Sequence, residues 1–84
     1  MHELEYSEKA LKQLKKLDIL LSDRILKTLN RIKVRPHHFT KSLAGSKYYS
    51  LRAGNYRIIL DIQDKKLIVF VVELGPRKNI YKAV

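Results

Sequence analysis

Arg52 and Arg57 are separated by Ala53, Gly54, Asn55 and Tyr56. If Gly54 and Asn55 form a two-residue hairpin turn, the register sets the two arginines directly opposite each other on paired strands. Such turns need positive φ, which glycine and asparagine tolerate, and the flanking runs Tyr48 to Ala53 and Tyr56 to Ile62 have strand character. The same register pairs Ala53 with Tyr56, Leu51 with Ile58 and Ser50 with Ile59. Directly opposed like charges cost roughly 0.2 to 1 kcal/mol relative to a neutral pair. An anion between or above them removes that cost, and a guanidinium binds two phosphate oxygens while keeping its charge. Two long cations splaying into solvent are the other reading of the same pair.

The wider charge pattern favours the anion. The chain has 84 residues with 18 Lys plus Arg against 8 Asp plus Glu, a formal net charge of +10. All the carboxylates lie at or before Asp23 or at or after Asp61. Between them stand Arg24, Lys27, Arg31, Lys33, Arg35, Lys41, Lys47, Arg52 and Arg57, with His37 and His38. A run of cations without counter-ions is a local positive field that attracts phosphates and makes binding salt-dependent. Nucleic acid, an acidic protein and an anionic membrane surface are all candidate partners. The longest apolar run, Leu67 to Val72, suits a buried strand and is too short for a membrane span, so no membrane is expected. With no cysteine and no signal-peptide pattern at Met1-His2-Glu3-Leu4-Glu5, disulfides and thiol chemistry are excluded and the cytoplasm is the expected compartment. No partner at ligand spacing accompanies His37-His38, so neither a metal site nor a cofactor is expected.

The length allows one domain, residues 1–84, with one core. Glu3 to Tyr6 alternates acidic and apolar side chains, as a short strand with one wet face does. Ser7 caps a helix carrying Ala10, Leu11, Leu14 and Leu17 on one side and Lys9, Lys12, Lys15 and Lys16 on the other. Asp18 restarts the pattern, and Leu21, Ile25, Leu29 and Ile32 form the stripe of a second helix that runs to about Val34, before Pro36. From Pro36 to Lys47 no periodicity survives, which predicts a loop. Strands are expected at Tyr48–Ala53, Tyr56–Gln63 and Lys66–Leu74, the last apolar on both faces and therefore interior, with Asp64-Lys65 as a tight turn. The resulting class is α+β: a short N-terminal strand and a two-helix hairpin packed on a small, mainly antiparallel twisted sheet, ending in a short basic tail or helical turn. One face receives Leu11, Leu14, Ile25 and Leu29 through Tyr49, Leu51, Ile58 and Leu60. The other carries Tyr48, Ser50, Arg52, Arg57, Ile59 and Asp61 and is expected to be open. Tyr56 shares the covered face and is expected to be structural.

Leu43-x-Gly45, the hairpin from Tyr49 through Leu60, and Val71-Val-Glu-Leu-Gly-Pro-Arg77 followed by Tyr81 together resemble the RelE/ParE toxin superfamily. The resemblance spans the chain. It implies the toxin of a type II toxin–antitoxin system, with a small RelB-like antitoxin whose toxin-binding segment is acidic, a heteromeric complex, and DNA contact only through the antitoxin. In the RelE branch it further implies cleavage of messenger RNA in the ribosome. A metal-free ribonuclease uses the neighbouring 2′-hydroxyl as nucleophile and needs a proton acceptor, cations for the pentacovalent phosphate and a donor for the leaving 5′-oxygen. By the resemblance, Arg57 stabilises the phosphate, Arg77 clamps it or assists the leaving oxygen, and Tyr81 orients the RNA. Arg52, Lys47 and Lys78 are expected to bind flanking phosphates.

Tyr48 and Ser50 stand where RelE toxins present two lysines, one of them able to accept the proton, and Ala44 replaces a frequent arginine. Tyr48, His37 and His38 are the candidates for the base, histidine having the better-matched ordinary pKa. A toxin of the ParE type, which inhibits DNA gyrase by binding, or an inactive basic interaction module, is the alternative to a nuclease.

Overall fold

The structure is a computed structural model and describes residues 1–76. Strand β1, Glu3–Tyr6, keeps the alternation of its sequence, with Leu4 and Tyr6 packed on the core and Glu3 and Glu5 exposed. Ser7 then reverses the chain into helix α1, Glu8–Lys15: its Oγ accepts from the Ala10 amide at 3.0 Å and donates to the Val72 carbonyl. One hydroxyl therefore caps the helix and fastens it to the sheet. Asp18 caps α2, Ile19–Ile32, by accepting from the Leu21 amide at 2.9 Å. Ile25, Leu29 and Ile32 recur at helical spacing and are buried.

From the end of α2 onward the chain departs from the sequence-based expectation. Helix α2 stops at Ile32, and the expected loop contains one helical turn, α3, Pro36–Phe39. Pro36 sits at the first helical position, where its missing N–H costs nothing, and the Thr40 hydroxyl donates to its carbonyl at 2.8 Å. A two-residue strand, β2, Lys41–Ser42, then pairs with β3, Tyr49–Ala53. Strand β4, Tyr56–Gln63, and β5, Ile68–Pro76, complete a sheet ordered β1-β5-β4-β3-β2. Only β1 and β5 run parallel. β5 begins later than expected because the connection from β4 occupies Asp64 to Leu67, with Leu67 at φ +54°.

The β3–β4 register pairs Arg52 with Arg57, Leu51 with Ile58, Ser50 with Ile59 and Ala53 with Tyr56, as the turn requires. The helix-covered face holds Leu51, Ala53, Ile58, Leu60, Val69, Val71 and Leu74 against Ala10, Ile25, Leu29 and Ile32. Tyr49 and Tyr56 pack at its margin. α1 buries Ala10 where Leu11 was expected, leaving Leu11 44% exposed. The opposite face differs too: it is not open throughout, since Ser50 and Ile59 in its middle are buried, and so is Glu73, which faces Ile59 on β5. Both Ser50 and Ile59 lie on strands paired on either side, where a side chain has neighbours in both directions. Lys9 Nζ lies 2.6 Å from Glu73 Oε2, so this buried carboxylate has its counter-ion.

Ser7→Ala is expected to destabilise the fold by about 1–2 kcal/mol, because it removes a cap and an interstrand anchor together. Asp18→Ala, at an exposed cap with a single bond, is expected to cost less. Urea unfolding of both variants checks the order, and an equal or larger loss at Asp18 would contradict it.

Candidate functional site

Gly54 holds φ at +61° while Asn55 does not have positive φ, the pattern of a type II′ turn with glycine in its first central position. A two-residue turn makes Ala53 and Tyr56 the hydrogen-bonded closing pair. Arg52 and Arg57 are then a non-hydrogen-bonded pair, the class in which opposing side chains come closest, with Cα atoms about 4.5 Å apart. Arg52 is exposed, makes no ion pair among the described residues, and its Nε donates to the Gly54 carbonyl at 3.4 Å. Arg57 is half-buried. The guanidiniums thus leave the sheet from adjacent points at its hairpin end.

Further along the same face, Tyr48 extends the register to stand across from Asp61. Lys47 Nζ lies 4.0 Å from Asp61 Oδ2 and 5.5 Å from the centre of the Tyr48 ring. Gln63 Nε2 donates to the same carboxylate oxygen at 3.1 Å. From Arg57 to Asp61 the strand spans about 13 Å, so Lys47, expected to bind a flanking phosphate, is held at a second station. Tyr48 stands at that station as well.

The two loop histidines do not join the arginines. His37 Nε2 is 2.8 Å from Asp64 Oδ2, and its ring meets Tyr49 edge-on with centroids 5.0 Å apart. Asp64 follows the far end of β4, about 20 Å along the strand from Arg57, and Tyr49 packs on the helix-covered face. His37 is therefore at the wrong end of the sheet for a phosphate held by Arg57. His38 lies edge-on to Phe39 at 4.8 Å and makes no side-chain hydrogen bond among the described residues. Its short helix leads from α2, on the covered side. Arg77, Lys78 and Tyr81 lie outside the described residues.

Two groupings escaped the sequence reading. His2 Nε2 approaches Asp64 Oδ1 at 3.1 Å, so one carboxylate joins the N-terminus and α3 to the β4–β5 turn. The hydrogen bond from His37, and then that from His2, holds the Asp64 carboxyl below the usual range. Nothing local in the sequence announces contacts across 62 and 27 residues. The second is a groove between α2 and the hairpin, lined by Arg24, Lys27, Arg31 and Arg52. Its signal was present: Arg24, Lys27 and Arg31 follow helical spacing on one face.

A helix pair backing a sheet, with paired arginines on the uncovered face, defines a small basic α+β protein. A family model described as ParE toxin of type II toxin–antitoxin system matches residues 4–81. A putative RelE-like toxin protein of Escherichia coli is 31% identical over 81 residues, 93% of this chain and 85% of that protein. The mRNA interferase toxin RelE of Escherichia coli K12 is 30% identical over 79 residues, 90% of this chain and 83% of that protein. The toxin in the solved intact E. coli RelBE toxin–antitoxin complex superimposes with a TM-score of 0.76 at 28% identity, over 90% of this chain and 96% of that one. The chain belongs to the RelE/ParE superfamily of type II toxins and is RelE-like.

The Asp64 clasp has a pH signature. A carboxyl whose pKa is lowered by folding adds stability that is present above its unfolded value and lost as pH falls through the folded one. Wild type is expected to melt above Asp64→Asn near pH 6, with the difference closing as pH drops below about 4. A difference independent of pH, followed by circular dichroism melting, would contradict the clasp.

Proposed function

We propose that this chain is the toxin of a type II toxin–antitoxin pair and that it cleaves messenger RNA in the ribosome without a metal. The observation that carries the reading is the enforced Arg52–Arg57 pair on the uncovered face, in a family whose relatives include a protein named mRNA interferase. In the reaction the 2′-oxygen attacks phosphorus, the bond to the 5′-oxygen breaks, and a 2′,3′-cyclic phosphate and a 5′-hydroxyl result. Arg57 stabilises the charge that grows on the pentacovalent phosphate. Arg52 binds a neighbouring phosphate, with Lys47 and Lys78 supporting it further along. Arg77 and Tyr81 complete the site, Arg77 at the phosphate or leaving oxygen and Tyr81 on the RNA base, where an aromatic ring stacks on an unpaired nucleotide. The 2′-proton needs an acceptor; Tyr48 is the base candidate on this face.

The partner is a small RelB-like antitoxin, a reading supported by the likeness to the solved RelBE toxin–antitoxin complex; its toxin-binding segment is acidic, and it supplies the DNA contact of the heteromeric complex. Carboxylates placed on the cationic face would displace RNA and relieve its self-repulsion.

A second reading has its own support. The matching family model is that of ParE toxins, and Tyr48 and Ser50 replace the lysines expected of a RelE nuclease. Losing a general base typically lowers rate 10²- to 10⁴-fold, which would favour a toxin that acts by binding, such as a gyrase inhibitor.

Primer extension on messenger RNA from a translation extract separates the two. Site-specific cleavage is expected with wild type, with a 10²- to 10³-fold loss in Arg57→Ala at nearly unchanged melting temperature. Absence of cleavage together with inhibition of gyrase supercoiling would replace the nuclease reading with the second one.

A further inference from the structure

A groove lies between α2 and the hairpin. It encloses about 330 Å³ and is lined by Arg24, Lys27, Thr28 and Arg31 of α2 and by Arg52 and Gly54 of the hairpin. Among the described residues no carboxylate lines it. Asp23 pairs with Lys27 at 3.0 Å, but Arg24, Arg31 and Arg52 make no ion pair among the described residues. The Arg24 guanidinium lies beside Gly54, with Nη1 3.5 Å from the point a Cβ there would occupy, so the hairpin tip and α2 hold the cations of the two elements together.

The sheet contributes backbone as well as charge. β2 pairs with Tyr49 and Ser50, so among the described residues β3 has an unpaired edge beyond Ser50. Because Arg52 and Arg57 form the non-hydrogen-bonded pair, the Arg52 amide and carbonyl point away from β4, toward that free edge. An outward amide between unpaired guanidiniums is a donor set for phosphate oxygens.

The spacing and the lining both favour a nucleic-acid strand. Arg24, Lys27 and Arg31 repeat about once per helical turn, roughly 5.4 Å, a separation comparable to that of successive phosphates. A protein partner would need apolar or aromatic anchors at the centre of its contact, and among the described residues Ala53 is the only apolar one that lines this groove. Arg52 belongs to both sites, opposite Arg57 on one side and at the groove on the other.

We propose that the groove carries the phosphates of single-stranded RNA that continues past the hairpin edge from the Arg52–Arg57 station. Arg52 is the point where the strand passes from the sheet face to α2. Arg24 and Arg31 hold the flanking RNA and take no part in bond cleavage. The inference rests on the reading that RNA is the ligand of the cationic face.

The test uses the full chain and a fluorescent single-stranded 2′-O-methyl oligoribonucleotide, which lacks the nucleophile, titrated by anisotropy at several salt concentrations. Arg24→Ala/Arg31→Ala is expected to weaken binding at least tenfold at low salt. Its log-log salt slope should be shallower by about 1.4, at about 0.7 per single-strand phosphate contact. Arg24→Lys/Arg31→Lys should retain the slope, since a lysine still neutralises a phosphate. Circular dichroism melting of each variant separates a lost contact from a lost fold. Unchanged affinity and slope in a folded double-alanine variant would overturn the proposal. Weakened capture of polyglutamate with an unchanged oligonucleotide titration would overturn it in favour of an acidic protein surface. Failure of the wild type to cleave messenger RNA would overturn the nuclease reading alone, because the salt titration judges the groove without any cleavage step.

Discussion

Glycine at position 54 holds φ at +61°, so the chain reverses in two residues and the register of β3 on β4 is set. A slip of one residue would carry Leu51, Ile58 and Leu60 to the uncovered face and drive charged side chains into the core. Full burial of each such aliphatic residue is worth about 1.5–3 kcal/mol, against roughly 0.2–1 kcal/mol for the opposed arginines. Burial wins, and the like-charge pair follows from it. The repulsion is thus built into the folded state by the register.

The same sheet separates its charges along its length. Arg52 and Arg57 mark the hairpin end; Asp61, with Lys47 and Gln63, stands midway, and Asp64 with His2 and His37 closes the opposite end. The helices contribute in two ways: Ile25, Leu29 and Ile32 back the sheet, and Arg24, Lys27 and Arg31 extend the positive surface around its edge.

Most of what positions the site was legible in the sequence. The Gly54-Asn55 turn gave register and facing residues, and the caps at Ser7 and Asp18 located both helix starts. What was not legible had no local signal. β2 spans two residues, below any period, and Pro36 reads equally as a breaker or as the first residue of a new turn. Alternation told which face Ser50 and Ile59 occupy, but it carries no information on how deeply that face is covered. His37 looked suited to be a base from its residue type alone; its contact with Asp64 is set by the packing of α3 on the sheet margin. Leu11 lost its place in the core to Ala10 because an eight-residue helix presents only a narrow stripe.

The fold holds Arg52 and Arg57 opposite each other against their mutual repulsion. A double-mutant cycle with Arg52→Gln and Arg57→Gln, read by urea unfolding of the free protein at low and high salt, measures that pair directly. An unfavourable coupling of a few tenths of a kcal/mol or more at low salt, fading as salt is raised, is the expected result. A coupling that is zero or favourable at low salt would contradict it.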